Sequence, residues 1–165
     1  MEGSPVAGPK DAPIIITEFS DFQCPYCARV APEIQKLREK YPDKVAVIYK
    51  HFPLSFHKQA PAAHAASMAA QEQGKFWEYR YALAPHFRNL TEETFLKVAG
   101  DVGLNIAKFK EDMKLDKEAQ AKIDEDMQLG QKVGVRGTPN FYVNGKKAAR
   151  FSPEMIDQMV KELGN

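Results

Sequence analysis

Phe22-Gln23-Cys24-Pro25-Tyr26-Cys27 holds the only two cysteines of this 165-residue chain. Just upstream, Pro13-Ile14-Ile15-Ile16-Thr17-Glu18-Phe19 is a β-branched apolar run without alternation, the pattern of a strand buried on both faces. Downstream, Cys27, Val30, Ala31, Ile34 and Leu37 recur at helical spacing and form one apolar face. The cysteine pair therefore stands where a strand turns into a helix. Pro25 suits the first helical position, where its missing N–H is not needed, and that makes Cys24 the N-cap residue. Pro32 lies inside the helical pattern and predicts a kink, and the helix should end near Lys40. A second apolar run, Val45–His51, completes strand, helix, strand with short links. Such a unit has parallel strands and a right-handed crossover.

Working outward, residues 1–11 are rich in Pro and Gly and are expected to fray. Residues 57–133 read as helical throughout. Lys58–Gln73 is Ala-rich with a stop at Gly74. Phe76–Leu83 is aromatic on one side. Thr91 is an N-cap before Glu92 and Glu93, and Gly103 ends that helix. Helices over 106–113 and 117–129 follow. Gly134-Val135-Arg136-Gly137-Thr138-Pro139 is a turn-rich link to a strand at Asn140–Val143. Asn144-Gly145 predicts a hairpin, with a return strand over 147–151. Ser152-Pro153 then opens a last helix that runs to about Leu163. The expected organisation is a single domain, 1–165. It divides into a βαβ half at 12–56, a helical insertion at 57–133 and a ββα half at 134–165.

This length supports a full core without a staple or a metal. Charge is balanced, with 23 basic and 22 acidic side chains, and no Lys/Arg run marks a nucleic-acid footprint. No apolar stretch reaches the roughly 20 residues of a membrane span. Met1–Pro9 lacks a basic and then apolar leader pattern; an exported chain already trimmed of its signal would look the same.

A dithiol exchanges disulfides when a thiolate attacks a sulfur and the second thiol resolves the mixed disulfide. At an N-cap, the free N–H groups and the helix dipole favour an anion, so Cys24 is expected to be the accessible, attacking thiol. Cys27, one turn in on the apolar face, should be buried and act second. The Pro25-Tyr26 spacer is neutral, so the Cys24 pKa should be lowered, though less than beside a cationic spacer.

Cys24-Pro25-Tyr26-Cys27 at a strand-to-helix turn, with Gly137-Thr138-Pro139 before a hairpin, resembles the thioredoxin superfamily. The long helical block narrows the resemblance to DsbA-like thiol–disulfide oxidoreductases. The flanking Glu18–Gln23 and His51-Phe52-Pro53-Leu54 strengthen it, and it extends from about Pro13 to Leu163. It implies an α/β thioredoxin fold with an all-helical insertion, and a cis Thr138–Pro139 bond facing Cys24. Thr138 and Pro139 would dock an extended client chain. Glu18 would serve as an acid beneath the dithiol that handles protons for Cys27. The family further implies protein thiol clients, a membrane quinone-linked reoxidant, a bacterial cell-envelope or periplasmic home, a monomer, and no cofactor beyond the Cys24–Cys27 disulfide. The chain departs from the family's strong oxidants in having Pro-Tyr rather than Pro-His as its spacer. Dithiol oxidase is therefore the leading expectation, with isomerase or reductase as the alternative. A glutathione-linked enzyme comes third.

Other readings of the same residues remain. The pair could be a structural disulfide, although a loop this short adds little stability. Cys24, Cys27, His51 and His57 could form a zinc set. The fold could serve as a redox-inactive binding module. Glu18 could be an ordinary edge carboxylate. Lys50 could be its partner, or a strand-end lysine in solvent. His51, His57, His64 and His86 are read as surface or packing residues, and the aromatics of 76–87 as core, some of them lining a client groove.

Overall fold

The computed structural model describes residues 1–164; Asn165, the expected last residue of the second half, lies outside them. Five strands form one sheet among these residues: β1 (Val6–Ala7), β2 (Ile14–Ser20), β3 (Val45–His51), β4 (Asn140–Val143) and β5 (Lys146–Ala148), in the order β1-β3-β2-β4-β5. β2 and β3 are parallel, with Ile16 opposite Val47 and Glu18 opposite Tyr49, and α1 (Pro25–Lys40) is the crossover between them. The helix continues through Pro32 as one element.

Every residue of β3 is buried, because both faces of the sheet are covered. On one face Ile14, Ile16, Val45 and Val47 pack with Val30, Ile34 and Leu37 of α1, and with Ile156 and Val160 of α7 (Pro153–Leu163). On the other, Phe19 meets Phe52, Val135, Met127 and Tyr142. Between β3 and β4 lie α2 (Ala60–Glu72), α3 (Phe76–Leu83), α4 (Glu92–Asp101), α5 (Ile106–Asp112) and α6 (Lys117–Lys132). They bury an Ala-rich and aromatic core of their own, which reaches the sheet at Tyr49 and Phe22. The caps expected at Thr91 and Ser152 form, each hydroxyl accepting the N–H three residues on.

Two expectations are corrected. The N-terminal segment is not frayed. β1 pairs antiparallel with β3, Pro5 O accepts from Tyr49 N, and buried Ser4 accepts from Lys50 Nζ at 2.8 Å. An open edge of β3, together with a lysine needing a partner, draws the segment in. The return strand is also shorter than expected, stopping at Ala148. Phe151 leaves the ladder and packs on Phe141, with ring centroids 5.3 Å apart, as the chain turns to start α7 at Ser152. The Asn144-Gly145 hairpin forms with both residues at positive φ, and Asn144 Oδ1 also accepts from Ile15 N.

Candidate active site

Cys24 is the N-cap of α1, in extended backbone, with Pro25 in the first turn. The loop before it is held by Asp21, a fully buried carboxylate. It accepts from the backbone N–H groups of Gln23 and Leu54, both at 2.8 Å, and pairs with His57 Nδ1 at 2.7 Å. Across the site, the Thr138–Pro139 peptide bond is cis, and Thr138 O accepts from Cys24 Sγ at 3.5 Å. The 114 residues that separate these two walls are closed by the pairing of β4 with β2.

The two thiols are free, and their environments differ. The Cys24 pKa is lowered from the ordinary thiol value to about 5. The main cause is a hydrogen bond from the Cys27 thiol; the Thr138 side chain and the backbone N–H groups of Cys27 and Tyr26 add to it against the opposing effect of burial. Cys27 is pushed well up, first by burial, then by the Cys24 sulfur, with the Glu18 charge adding to the rise. A neutral spacer has thus not prevented a strongly acidic Cys24. Access is narrower than expected: Cys24 is only 4% exposed against 1% for Cys27, while Tyr26 of the spacer is 63% exposed. Thr138 O, 3.5 Å away, and the first turn of α1 stand against the sulfur.

Glu18 lies beneath the pair, fully buried, and its partner is not Lys50. Glu18 Oε1 accepts from Arg80 Nη2 of α3 at 2.5 Å, while Glu18 Oε2 has no protein partner. The Arg80 guanidinium also lies 5.2 Å from the centre of the Tyr49 ring. Lys50 points to the other side of the sheet and is not in solvent either; it reaches Ser4 and, at 3.7 Å, Asp126 of α6. The side-chain alternation of a strand makes the swap unavoidable: Glu18 and Tyr49 are paired in register and share a face, so Lys50 must face away. Arg80 carried a signal that the sequence reading passed over. Phe76, Arg80 and Leu83 sit at i, i+4 and i+7, which puts a charge on a buried helical stripe.

The histidines considered for zinc are engaged elsewhere. His51 Nδ1 meets His64 Nδ1 at 2.7 Å, and both rings are fully buried. Burial lowers the His51 pKa to about 3 and that of His64 well below the ordinary histidine value. His57 is committed to Asp21. Among the described residues no group of three or more His, Cys, Asp or Glu is arranged to hold a metal ion.

An acidic thiol at a helix N-terminus, a buried thiol one turn on and a cis-proline wall define the class of thioredoxin-fold dithiol proteins. The chain belongs to the thioredoxin family, whose model matches residues 1–162. Its structure is similar to a thioredoxin-like oxidoreductase from Silicibacter pomeroyi DSS-3, with a TM-score of 0.84 at 30% identity, covering 99% of this chain and 93% of that one. It also superimposes on the thiol-disulfide exchange protein alpha-DsbA2 from Wolbachia pipientis with a TM-score of 0.86, covering 98% of this chain and 88% of that one; at 19% identity this shows a shared DsbA-like fold. Among curated proteins it is 35% identical over 143 residues to the Na(+)/H(+) antiporter NhaA 3 of Salinispora tropica. That match covers 86% of this chain and spans only 22% of the antiporter. No helix among the described residues is long and apolar enough to cross a membrane.

Proposed function

We propose that this protein exchanges disulfides with protein clients through Cys24 and Cys27, running chiefly as a dithiol oxidase. The observation that carries the reading is the contrast between the thiols: Cys24 at about 5, Cys27 pushed well above an ordinary thiol. A thiolate held this stable favours the dithiol over the disulfide. Each tenfold gain is about 1.4 kcal/mol, or about 30 mV toward an oxidising potential.

In the oxidising direction, a client thiolate attacks Cys24 Sγ of the Cys24–Cys27 disulfide. The S–S bond breaks, and the electron pair leaves on Cys27. Being the stronger base, Cys27 takes a proton, with Glu18 assisting through the oxygen that Arg80 leaves free. A second client thiolate then attacks the client sulfur of the mixed disulfide, and Cys24 departs as a stable thiolate. The client loses two electrons, and the pair holds them until it is reoxidised. Thr138 and Pro139 dock the client backbone, and the Pro25-Tyr26 spacer keeps the region between the sulfurs neutral. The redox group is the cysteine pair itself, with no further cofactor. The setting consistent with the family is the bacterial cell envelope, with exported thiol proteins as clients, a membrane quinone-linked reoxidant and a monomeric enzyme. Isomerase or reductase is the alternative direction of the same chemistry.

Cys27→Ser should trap a mixed disulfide with a client, and Cys24→Ser should abolish exchange. A glutathione redox titration then fixes the direction. A potential near about −120 mV supports an oxidase, and one near about −270 mV would make the protein a reductase instead.

A further inference from the structure

Two grooves are lined by the dithiol's neighbours, one by Pro25 and the other by Thr138, and both are basic. Pro25 lines the first, with Arg29 and Pro32 of α1 and with Tyr81, Phe87 and Arg88 of the helical block. Thr138 lines the second, with Arg136, Pro139, Asn140 and Lys147. Neither lining contains an Asp or Glu. Arg29, Arg88, Arg136 and Lys147 are exposed, and none takes part in an ion pair among the described residues. Two of these cations rest on aromatic rings: Arg29 is 5.4 Å from the Tyr26 centroid and Arg88 is 5.1 Å from that of Phe87. Stacking fixes a guanidinium in place while leaving its N–H fork free for a carboxylate.

This concentration of cations is not a consequence of net charge, which is +1 for the whole chain. The acids gather elsewhere: Glu72, Glu111, Asp112, Asp116 and Glu118 line a separate groove on the helical block. Asn140 Oδ1, beside the cis peptide, is buried without a partner and can serve an incoming chain as an acceptor.

We propose that the client segment presented to Cys24 is acidic: an extended stretch of protein with Asp or Glu on both sides of its reactive cysteine. One carboxylate meets Arg29 and Arg88, and the other meets Arg136 and Lys147. The proposal rests on the exchange reading above and names its client class. Unpaired cations lining a cleft concentrate anionic segments there and speed their encounter, an effect that salt screens. Basic segments are turned away by the same field.

Three peptides of equal length test this, each with one cysteine flanked by Asp/Glu, by Ser or by Lys. Their rates of reaction with the oxidised protein are compared per thiolate, so that flanking charge does not act through the peptide's own pKa. At low ionic strength the acidic peptide should react about tenfold faster than the Ser peptide, and the Lys peptide slowest, with the spread collapsing in high salt. The double variants Arg29→Gln/Arg88→Gln and Arg136→Gln/Lys147→Gln should each shrink the acidic preference. Lys110→Gln/Lys117→Gln removes the same net charge from the helical block and should leave the preference in place. Equal rates for the three peptides overturn the proposal, as does a preference that Lys110→Gln/Lys117→Gln erodes equally. A preference confined to glutathione over its carboxyl ester would also overturn it, by assigning the cations to a small thiol. Failure to exchange even with dithiothreitol would instead sink the exchange reading itself.

Discussion

Beneath the dithiol, Glu18 and Arg80 form an ion pair that is closed to solvent on both sides. Such pairs add little net stability, because desolvation of two charges offsets most of their attraction; losing one partner is what destabilises. Arg80→Met should therefore cost about 3–5 kcal/mol, since it strands the Glu18 carboxylate in the core. The double variant Glu18→Leu/Arg80→Met should recover most of that loss. Urea unfolding of the two variants checks this, and a double variant as unstable as the single would argue that Arg80 works by packing alone. The acid's position six residues before Cys24 was legible in the sequence, but its partner was not. Lys50 is the nearer cation in register, yet strand alternation turns it to the opposite face, and Arg80 arrives from a helix 62 residues away.

At the scale of elements, α6 is seated on the sheet by close approach and by charge. Its Asp126 accepts from His51 N at 2.9 Å and pairs with Lys122. Four residues on, Gly130 lies against Phe52: a Cβ there would come within 2.6 Å of the ring, and 3.2 Å of Phe19. Phe52 cannot retreat, because it is buried edge-on to Phe19 with centroids 6.1 Å apart. Gly130→Ala thus sets two effects against each other. Helix propensity gains about 1 kcal/mol, whereas overpacking costs about 1–3 kcal/mol. The clash with a pinned ring should win, giving a net loss of up to about 2 kcal/mol by chemical denaturation. α6 runs to Lys132, past the end expected at residue 129, and from sequence alone nothing marks Gly130. That it permits a contact depends on which element lies above it.

For the molecule as a whole, pH should separate the two redox forms. In the reduced form, the folded Cys24 pKa of about 5 lies below the ordinary thiol value. Its contribution to stability is complete above the unfolded thiol value and is lost as pH falls through about 5. The disulfide form has no such ionisation, so the stability gap between reduced and oxidised protein should widen in favour of the reduced form from about pH 5 to 8. His51, at about 3, and His64 act in both forms. Each stays neutral when folded and takes a proton when unfolded, so both forms should lose stability as pH falls below about 6.5. Urea melts of the two forms from pH 4 to 8 test both effects. A gap that does not change with pH would contradict the acidic Cys24.

The sequence by itself determined the thioredoxin-like order of elements, the N-cap position of Cys24 and the burial of Cys27. Those follow from interactions a few residues long: periodic apolar faces, proline at a helix start, a glycine turn. Tertiary structure alone decided what surrounds the pair. Docking the helical block brings Arg80 to Glu18, and α6 brings Asp126 to His51, 75 residues apart. The N-terminal segment reaches Lys50 from 46 residues away. The two basic grooves likewise draw cations from α1, the turn after α3, the cis-proline link and β5. No periodicity links such positions along the chain; they meet only because the packed layers have one arrangement that buries their apolar faces together.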